Sequence, residues 1–261
     1  MLNDYKIDHV MHFAAQTHVC QSFGNPVEFT KSNVLGTHML VEACNYYGKI
    51  KKFVHVSTDE VYGDIVEGSR DETSVLHPTN PYAATKAGAE HIVRSYGFSF
   101  KFPYVITRGN NVYGQHQCLC KVIPRFIAML MKGKKMTIQG EGKAVRNFIH
   151  VKDTVSAFMT ILDKGVLTET YNIASEDEIS VMELAQILLK KLKPGENFND
   201  WIIYTPDRNF NDSRYSITNA KLEALGWKRK VSFEEGLHET IDWYIKNPEI
   251  WEHYYQRFIG N

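Results

Sequence analysis

The sequence predicts an α/β chain built on a parallel sheet. Short apolar runs alternate with longer stretches of helical apolar period, the signature of parallel β-α units. The first run, H-V-M-H-F-A-A at 9–15, is apolar and ends in small residues, as a buried strand does. With 261 residues, 43% of them apolar, the chain has enough material for a large core.

After the run at 9–15, Val34, Leu35, Met39, Leu40 and Ala43 recur at helical spacing, which predicts a helix over 33–45. K-F-V-H-V-S at 52–57 is a second strand. A loop carrying Gly63, Gly68 and Pro78 follows. Asn80-Pro81 then opens a helix to about Tyr96, proline being suited to a first turn. Y-V-I-T at 104–107 is a third strand. Beyond Gly114 the pattern predicts a helix over 122–131, strands at 136–139 and 146–150, and a helix over 153–163. A strand at 170–173 and an amphipathic helix over 181–192 follow, the latter ended by Lys193-Pro194-Gly195. Final helices are expected near 219–225 and 233–247.

Lys+Arg and Asp+Glu are 30 each, so the formal net charge is zero, which argues against nucleic-acid binding through a global basic field. No apolar run approaches the roughly 18 residues of a membrane span. The polar start, M-L-N-D-Y-K, does not read as a signal peptide. The expectation is a cytoplasmic protein with neither membrane nor nucleic acid as partner. The four cysteines, at 20, 44, 118 and 120, form no disulfide framework, and Cys118-x-Cys120 lacks the second pair of a zinc site, so no metal is expected. None of the 17 glycines builds a G-x-G-x-x-G turn after a strand, and Gly140-Glu141-Gly142 reads as a plain turn.

Two constellations carry chemistry. Tyr82-x-x-x-Lys86 places a phenol and an ammonium on one helix face, where the cation is expected to lower the phenol pKa and make a general base. Ser57-Thr58-Asp59-Glu60-Val61-Tyr62-Gly63 puts two adjacent carboxylates on a loop at the carboxyl end of the second strand, where open α/β sheets bind ligands. In different environments such a pair divides into acid and base. Alone, the first reads rather as a solvated lysine beside a surface tyrosine, and the second as an ordinary solvated acidic turn.

Together, S-T-D-E-V-Y-G and N-P-Y-x-x-x-K, with H-F-A-A upstream and R-x-x-N-V-Y-G downstream, resemble the extended short-chain dehydrogenase/reductases. Within these the chain is similar to the nucleoside-diphosphate-glucose 4,6-dehydratases over about 7–244. The resemblance implies a Rossmann-like parallel sheet and a smaller C-terminal α/β substrate lobe. A partial NAD-binding domain would span 1–115, and a sugar-nucleotide lobe interleaved with the sheet would span 116–261. It implies NAD-dependent dehydration of dTDP- or UDP-glucose to the 4-keto-6-deoxy sugar nucleotide, by a homodimer paired through the helices near 33–47 and 80–97. Tyr82 would deprotonate the C4 hydroxyl, with Lys86 tuning it and holding the nicotinamide ribose. Glu60 would remove the C5 proton, Asp59 would protonate the departing C6 hydroxyl, and Thr58 would bond the sugar. Phe13, Ala14, Ala15, Gln16 and Ser32 would join Tyr82 and Lys86 at NAD. Asn111, Lys121, Val122, Thr137, Ile138, Gln139, Arg146, Asn172, Asn211, Asp212, Arg214 and Tyr215 would hold the nucleotide, the two arginines by their forks on phosphate.

The family's first ~70 residues, with their glycine-rich turn, are expected to be missing, leaving the first strand as an exposed apolar edge. Cys20 stands at a usual Asp, and Leu119-Cys120 at a usual Pro-Glu. Two other readings stay open. One is an epimerase or decarboxylase, which shares the Tyr and Lys without the Asp-Glu pair. The other is a catalytically impaired fragment or non-catalytic sugar-nucleotide-binding protein.

Overall fold

The computed structural model describes residues 1–207 and 210–259. In chain order its elements are β1 (His9–His12), α1 (Val19–Gly24), α2 (Pro26–Phe29), α3 (Gly36–Tyr47), β2 (Lys52–Thr58), α4 (Pro81–Phe100), β3 (Tyr104–Gly109), β4 (Asn111–Tyr113), α5 (Val122–Met131), β5 (Met136–Gln139), β6 (Val145–His150), α6 (Val151–Lys164), β7 (Thr170–Ile173), β8 (Glu178–Ser180), α7 (Val181–Leu192), β9 (Ile202–Thr205), α8 (Ala220–Glu223), α9 (Phe233–Lys246) and α10 (Pro248–Phe258). A π-helical stretch, Thr30–Leu35, joins α2 to α3, and a 3-10 turn, Asp59–Tyr62, follows β2.

The chain folds as two units. The first holds residues 1–110, 155–174 and 215–228; the second holds 111–154, 175–214 and 229–261. The chain therefore returns to its first unit twice after residue 116.

The first unit is built on a four-stranded sheet in the order β1-β2-β3-β7, parallel throughout. Phe53 pairs with Tyr104, and Arg108 with Asn172. β2 and β3 are buried along almost their whole length, polar residues such as His55, Thr107 and Arg108 included. β1 ends the order; its His9 is exposed and its Val10 and Met11 are half-buried. Val41 of α3, Val93 of α4, Phe53 of β2 and Ile106 of β3 share one core. Each such side chain contributes about 1.5–3 kcal/mol through burial.

α4 begins with Asn80, whose Oδ1 accepts the Ala83 N–H at 2.9 Å, followed by Pro81 in the first turn. It continues four residues beyond the expected Tyr96 and ends at Lys101, in the left-handed conformation. Gly97 is required inside it because the Tyr104 ring lies where a Cβ would be.

The second unit contains β4-β6-β8, parallel then antiparallel, and the parallel pair β5-β9. Its core gathers Ile123, Phe126 and Leu130 of α5 with Leu184 and Leu188 of α7 and Leu237 of α9. α7 starts in a capping box, with Ser180 and Glu183 each bonding the other's backbone N–H. Among the described residues no helix is long and apolar enough to cross a membrane.

Candidate active site

The predicted catalytic residues all lie in the first unit, where β2 and α4 deliver them. β2 runs buried to Thr58 and the chain then tightens into the Asp59–Tyr62 turn. The two acids are therefore on a 3-10 turn, not the loop expected from sequence. Gly63 closes that turn at φ +78°, and a Cβ there would collide with the His77 carbonyl. The Thr58 hydroxyl donates to Asp59 Oδ1 at 3.1 Å and accepts the Glu60 N–H at 3.4 Å. Asn110 Nδ2 donates to Asp59 Oδ2 at 2.7 Å. Glu60 Oε2 receives Asn80 Nδ2 at 3.0 Å and the Tyr215 hydroxyl at 3.3 Å. Asp59 is 2% exposed while Glu60 is half-buried, so the two carboxyls sit in different environments.

Tyr82 and Lys86 are buried, not a surface pair. Their electrostatics differ from the sequence expectation. Burial pushes the Tyr82 phenol up, and the charges of Glu60 and Asp59 push it further, against a hydrogen bond with Thr58 that works the other way. Lys86 Nζ donates to the Val56 carbonyl at 2.6 Å. Burial itself brings Lys86 down to about 8. Helical i,i+4 spacing puts two side chains on one face but does not say how deep that face lies, and depth decides here.

The segment after β1 carries Phe13, Ala14 and Gln16 exposed and Ala15 half-buried. Asn33 clamps it: its Oδ1 accepts the Gln16 N–H at 2.7 Å, and its Nδ2 donates to the Gln16 carbonyl and to Thr85 Oγ1. Ser32, beside Asn33, is half-buried in the π-helical stretch, a backbone form frequent at functional sites. Ser57 Oγ is buried without a hydrogen-bond partner at the carboxyl end of β2.

The second unit holds most of the remaining candidates. Asn111 lies half-buried on β4, Lys121 is the N-cap of α5, and Val122 is its first residue. On β5, Thr137 is half-buried and Gln139 exposed, whereas Ile138 is wholly in the core. Its side chain thus packs inward, leaving that position only backbone for a ligand. Arg146 Nη1 donates to the Asp212 carbonyl at 3.0 Å and Nη2 to Asn211 Oδ1 at 2.9 Å. Gln139 and Asn211 border a hollow of about 330 Å³ that also takes in the Gly140–Ala144 turn and Asp207. Arg214 forks onto Glu178.

Two of the expected nucleotide-binding residues lie in the first unit. Tyr215 belongs to the first unit, on Glu60, and joins the acidic turn. Asn172 is fully buried on β7, where Oδ1 accepts from the Tyr62 hydroxyl and Nδ2 donates to the Arg70 carbonyl. Both ends of its amide are thus bonded within the first unit. Sequence reasoning passed over Asn33, Asn80 and Asn110. Asn80 was legible only as a cap, and Asn110 only as the neighbour of Asn111.

A family model described as GDP-mannose 4,6 dehydratase matches residues 1–240. The dTDP-D-glucose 4,6-dehydratase of Mus musculus is 49% identical over 95% of the chain, which spans 70% of that protein. A trifunctional UDP-glucose 4,6-dehydratase/UDP-4-keto-6-deoxy-D-glucose 3,5-epimerase/UDP-4-keto-L-rhamnose-reductase of Arabidopsis thaliana is 48% identical, and the chain spans 37% of its length. Among solved structures, a dTDP-glucose 4,6-dehydratase of Streptomyces venezuelae with NAD bound superposes with a TM-score of 0.92 at 38% identity, over 95% of this chain and 76% of that one. A UDP-glucose 4-epimerase of Thermotoga maritima reaches 0.87 at 29% identity, over 95% and 80% of the two chains.

Proposed function

The chain belongs to the GDP-mannose 4,6-dehydratase family, and from that premise we propose that it removes water from a nucleoside-diphosphate-glucose to give the 4-keto-6-deoxy sugar nucleotide, with NAD as internal hydride carrier. The observation that carries this reading is the arrangement of buried Thr58 and Asp59 and half-buried Glu60 beside buried Tyr82. Oxidation at C4 needs a single base. Loss of the C6 hydroxyl needs two further proton transfers, and two adjacent carboxyls in unlike environments supply them.

The residues at the nicotinamide end fit the cofactor. Ser57 offers a buried hydroxyl without a partner, and Lys86 an ammonium with donors beyond the one spent on Val56. Phe13 to Gln16 present an open segment at the carboxyl end of β1. For the pyrophosphate and adenosine, no glycine-rich turn from strand to helix occurs among the described residues. When bound, NAD supplies the hydride acceptor for C4 and the donor for C6.

In this reading the deprotonated form of Tyr82, which burial by itself disfavours, takes the proton of the C4 hydroxyl, and the Thr58 hydroxyl orients that hydroxyl. A ketone at C4 acidifies the C5 hydrogen, and Glu60 Oε takes it. Asp59 delivers a proton to the C6 oxygen, which leaves as water, and Glu60 returns its proton to C5 as C6 is reduced. Asn80 and Tyr215 keep Glu60 Oε2 in place as an acceptor, and Asn110 does the same for Asp59. Arg146, Asn211 and Gln139, all in the second unit, are the groups proposed for the diphosphate and nucleoside. The proposal includes a homodimer paired through α3 and α4, supported by exposed Met39, Tyr46, Phe98 and Phe100 on those helices; sedimentation at micromolar concentration would show the two-chain mass.

The test is incubation of the purified protein with dTDP-glucose or UDP-glucose and NAD, followed by mass spectrometry. A product lighter by one water supports the proposal. Conversion to an isomer of unchanged mass would replace it by the epimerase reading, and tight sugar-nucleotide binding without turnover by the binding-protein reading.

A further inference from the structure

Beneath the acidic turn lies a polar network that the proton transfers above do not use. Arg108, at the end of β3, is 2% exposed. Its Nε and Nη2 donate to the Glu90 carboxylate at 3.0 and 2.7 Å, and its Nη1 donates to the Tyr62 hydroxyl at 2.7 Å. The guanidinium also lies 4.8 Å from the Tyr62 ring centroid. The Tyr62 hydroxyl donates to Asn172 Oδ1 at 2.9 Å, and Asn172 is the register partner of Arg108 on β7. Glu90 and Asn172 are fully buried and Tyr62 nearly so.

The elements joined are those that bear the chemistry. Tyr62 ends the 3-10 turn that Asp59 begins. Glu90 follows Lys86 by four residues, and Tyr82 by eight, on α4. Asn110, two residues after Arg108, holds Asp59 from the other side. The end of β3 therefore grips the acidic turn at both its first and last residues, and through Arg108 it also grips α4.

We propose that Arg108 is a positioning residue: with Tyr62 on one side and Glu90 on the other, it fixes the Asp59–Glu60 turn against the Tyr82–Lys86 helix. The role in turnover rests on the dehydratase reading of those four residues. Stability alone is a poor reason for such a network, since a buried ion pair is often replaceable by packed apolar side chains without loss. What apolar groups do not supply is a planar fork that fixes direction at two elements at once. Sequential proton transfers need that, because errors near 1 Å cost about 100-fold in rate. A lysine keeps the charge and loses the fork.

The test compares wild type with Arg108→Lys and Tyr62→Phe by hydrogen–deuterium exchange and by steady-state turnover of dTDP-glucose with NAD. In Arg108→Lys, exchange at 59–63 and at 81–90 is expected to rise together by about fivefold or more, while α7, in the other unit, stays within about twofold. kcat is expected to fall by about 10–100-fold with KM changed by less than about threefold. Tyr62→Phe, which removes one oxygen, is expected to loosen 59–63 alone and decides the matter if Arg108→Lys does not fold. Unchanged exchange in both segments, a uniform rise that includes α7, or loosened segments with an unchanged kcat would each overturn the proposal. A wild type that turns over no substrate would refute the dehydratase reading and with it the catalytic part of the role. The exchange data would still show whether Arg108 joins turn to helix.

Discussion

The Nδ2 of Asn80 lies 3.0 Å from Oε2 of Glu60, while Oδ1 of the same amide caps α4. One side chain thus ties an acid of the turn to the start of the helix that carries Tyr82.

Replacing it separates the two ties. Asn80→Ala removes the cap and is expected to cost about 1 kcal/mol, a fall of roughly 2–4 °C in Tm. Asn80→Ser restores a cap but is too short to reach Glu60. Scanning calorimetry with turnover should therefore show stability recovered in Asn80→Ser and kcat still depressed. Recovery of both would mean that Asn80 serves the helix alone.

Asp59→Asn keeps the size of the side chain and removes its titratable proton. C4 oxidation, followed as cofactor absorbance, should persist, while water loss falls by about 100- to 10,000-fold. Equal losses in the two steps would place Asp59 in substrate binding.

Removing a negative charge beside a phenol favours the phenolate. Glu60 is one of the groups that raise Tyr82. In Glu60→Gln the Tyr82 titration should move to lower pH, read by NMR of ring-labelled tyrosine with Tyr82→Phe as the assignment control. No shift would show that burial alone sets the phenol, and a shift upward would contradict the assigned role of Glu60.

His12 and His55 set an acid limit. Burial, aided by the charge of Lys86, brings His12 down to about 4, and burial holds His55 well below the usual 6.5. Below pH 6.5 the unfolded chain binds protons that the folded chain refuses, so stability falls as pH drops from about 6.5 towards 4. The slope is on the order of 1 kcal/mol per pH unit for each histidine. Both ring nitrogens of His55 are buried without partners. His55→Leu should thus leave Tm at pH 7 unchanged or higher and shrink the loss between pH 7 and pH 5. A larger acid loss in that variant would contradict the assignment.

Strong local pattern made some elements legible to the residue. α5 and α7 have the expected bounds because each pairs an apolar stripe with a clear stop, Lys132-Gly133 or Lys193-Pro194-Gly195. β4 and β8 were missed because three residues hold no period; they exist only through pairing with β6. α10 was missed although Pro248 marks its start, because its charged and aromatic residues do not read as a core helix. At the site, Asp59, Glu60, Tyr82 and Lys86 were legible as motifs, being close in sequence. Their partners Asn110 and Tyr215 come from 51 and 155 residues away, so only the fold joins them. The upward push of burial on Tyr82 was not legible for the same reason: burial is a tertiary property.

The central claim is that one site oxidises C4, expels the C6 oxygen and reduces C6. Turnover of dTDP-glucose deuterated at C4, with NAD in ordinary water, tests it most directly by mass spectrometry and deuterium NMR. The account predicts a product that has lost one water and carries the deuterium in its C6 methyl group. Deuterium found back at C4 of a sugar nucleotide that keeps all its oxygens, or substrate recovered unchanged, would contradict it.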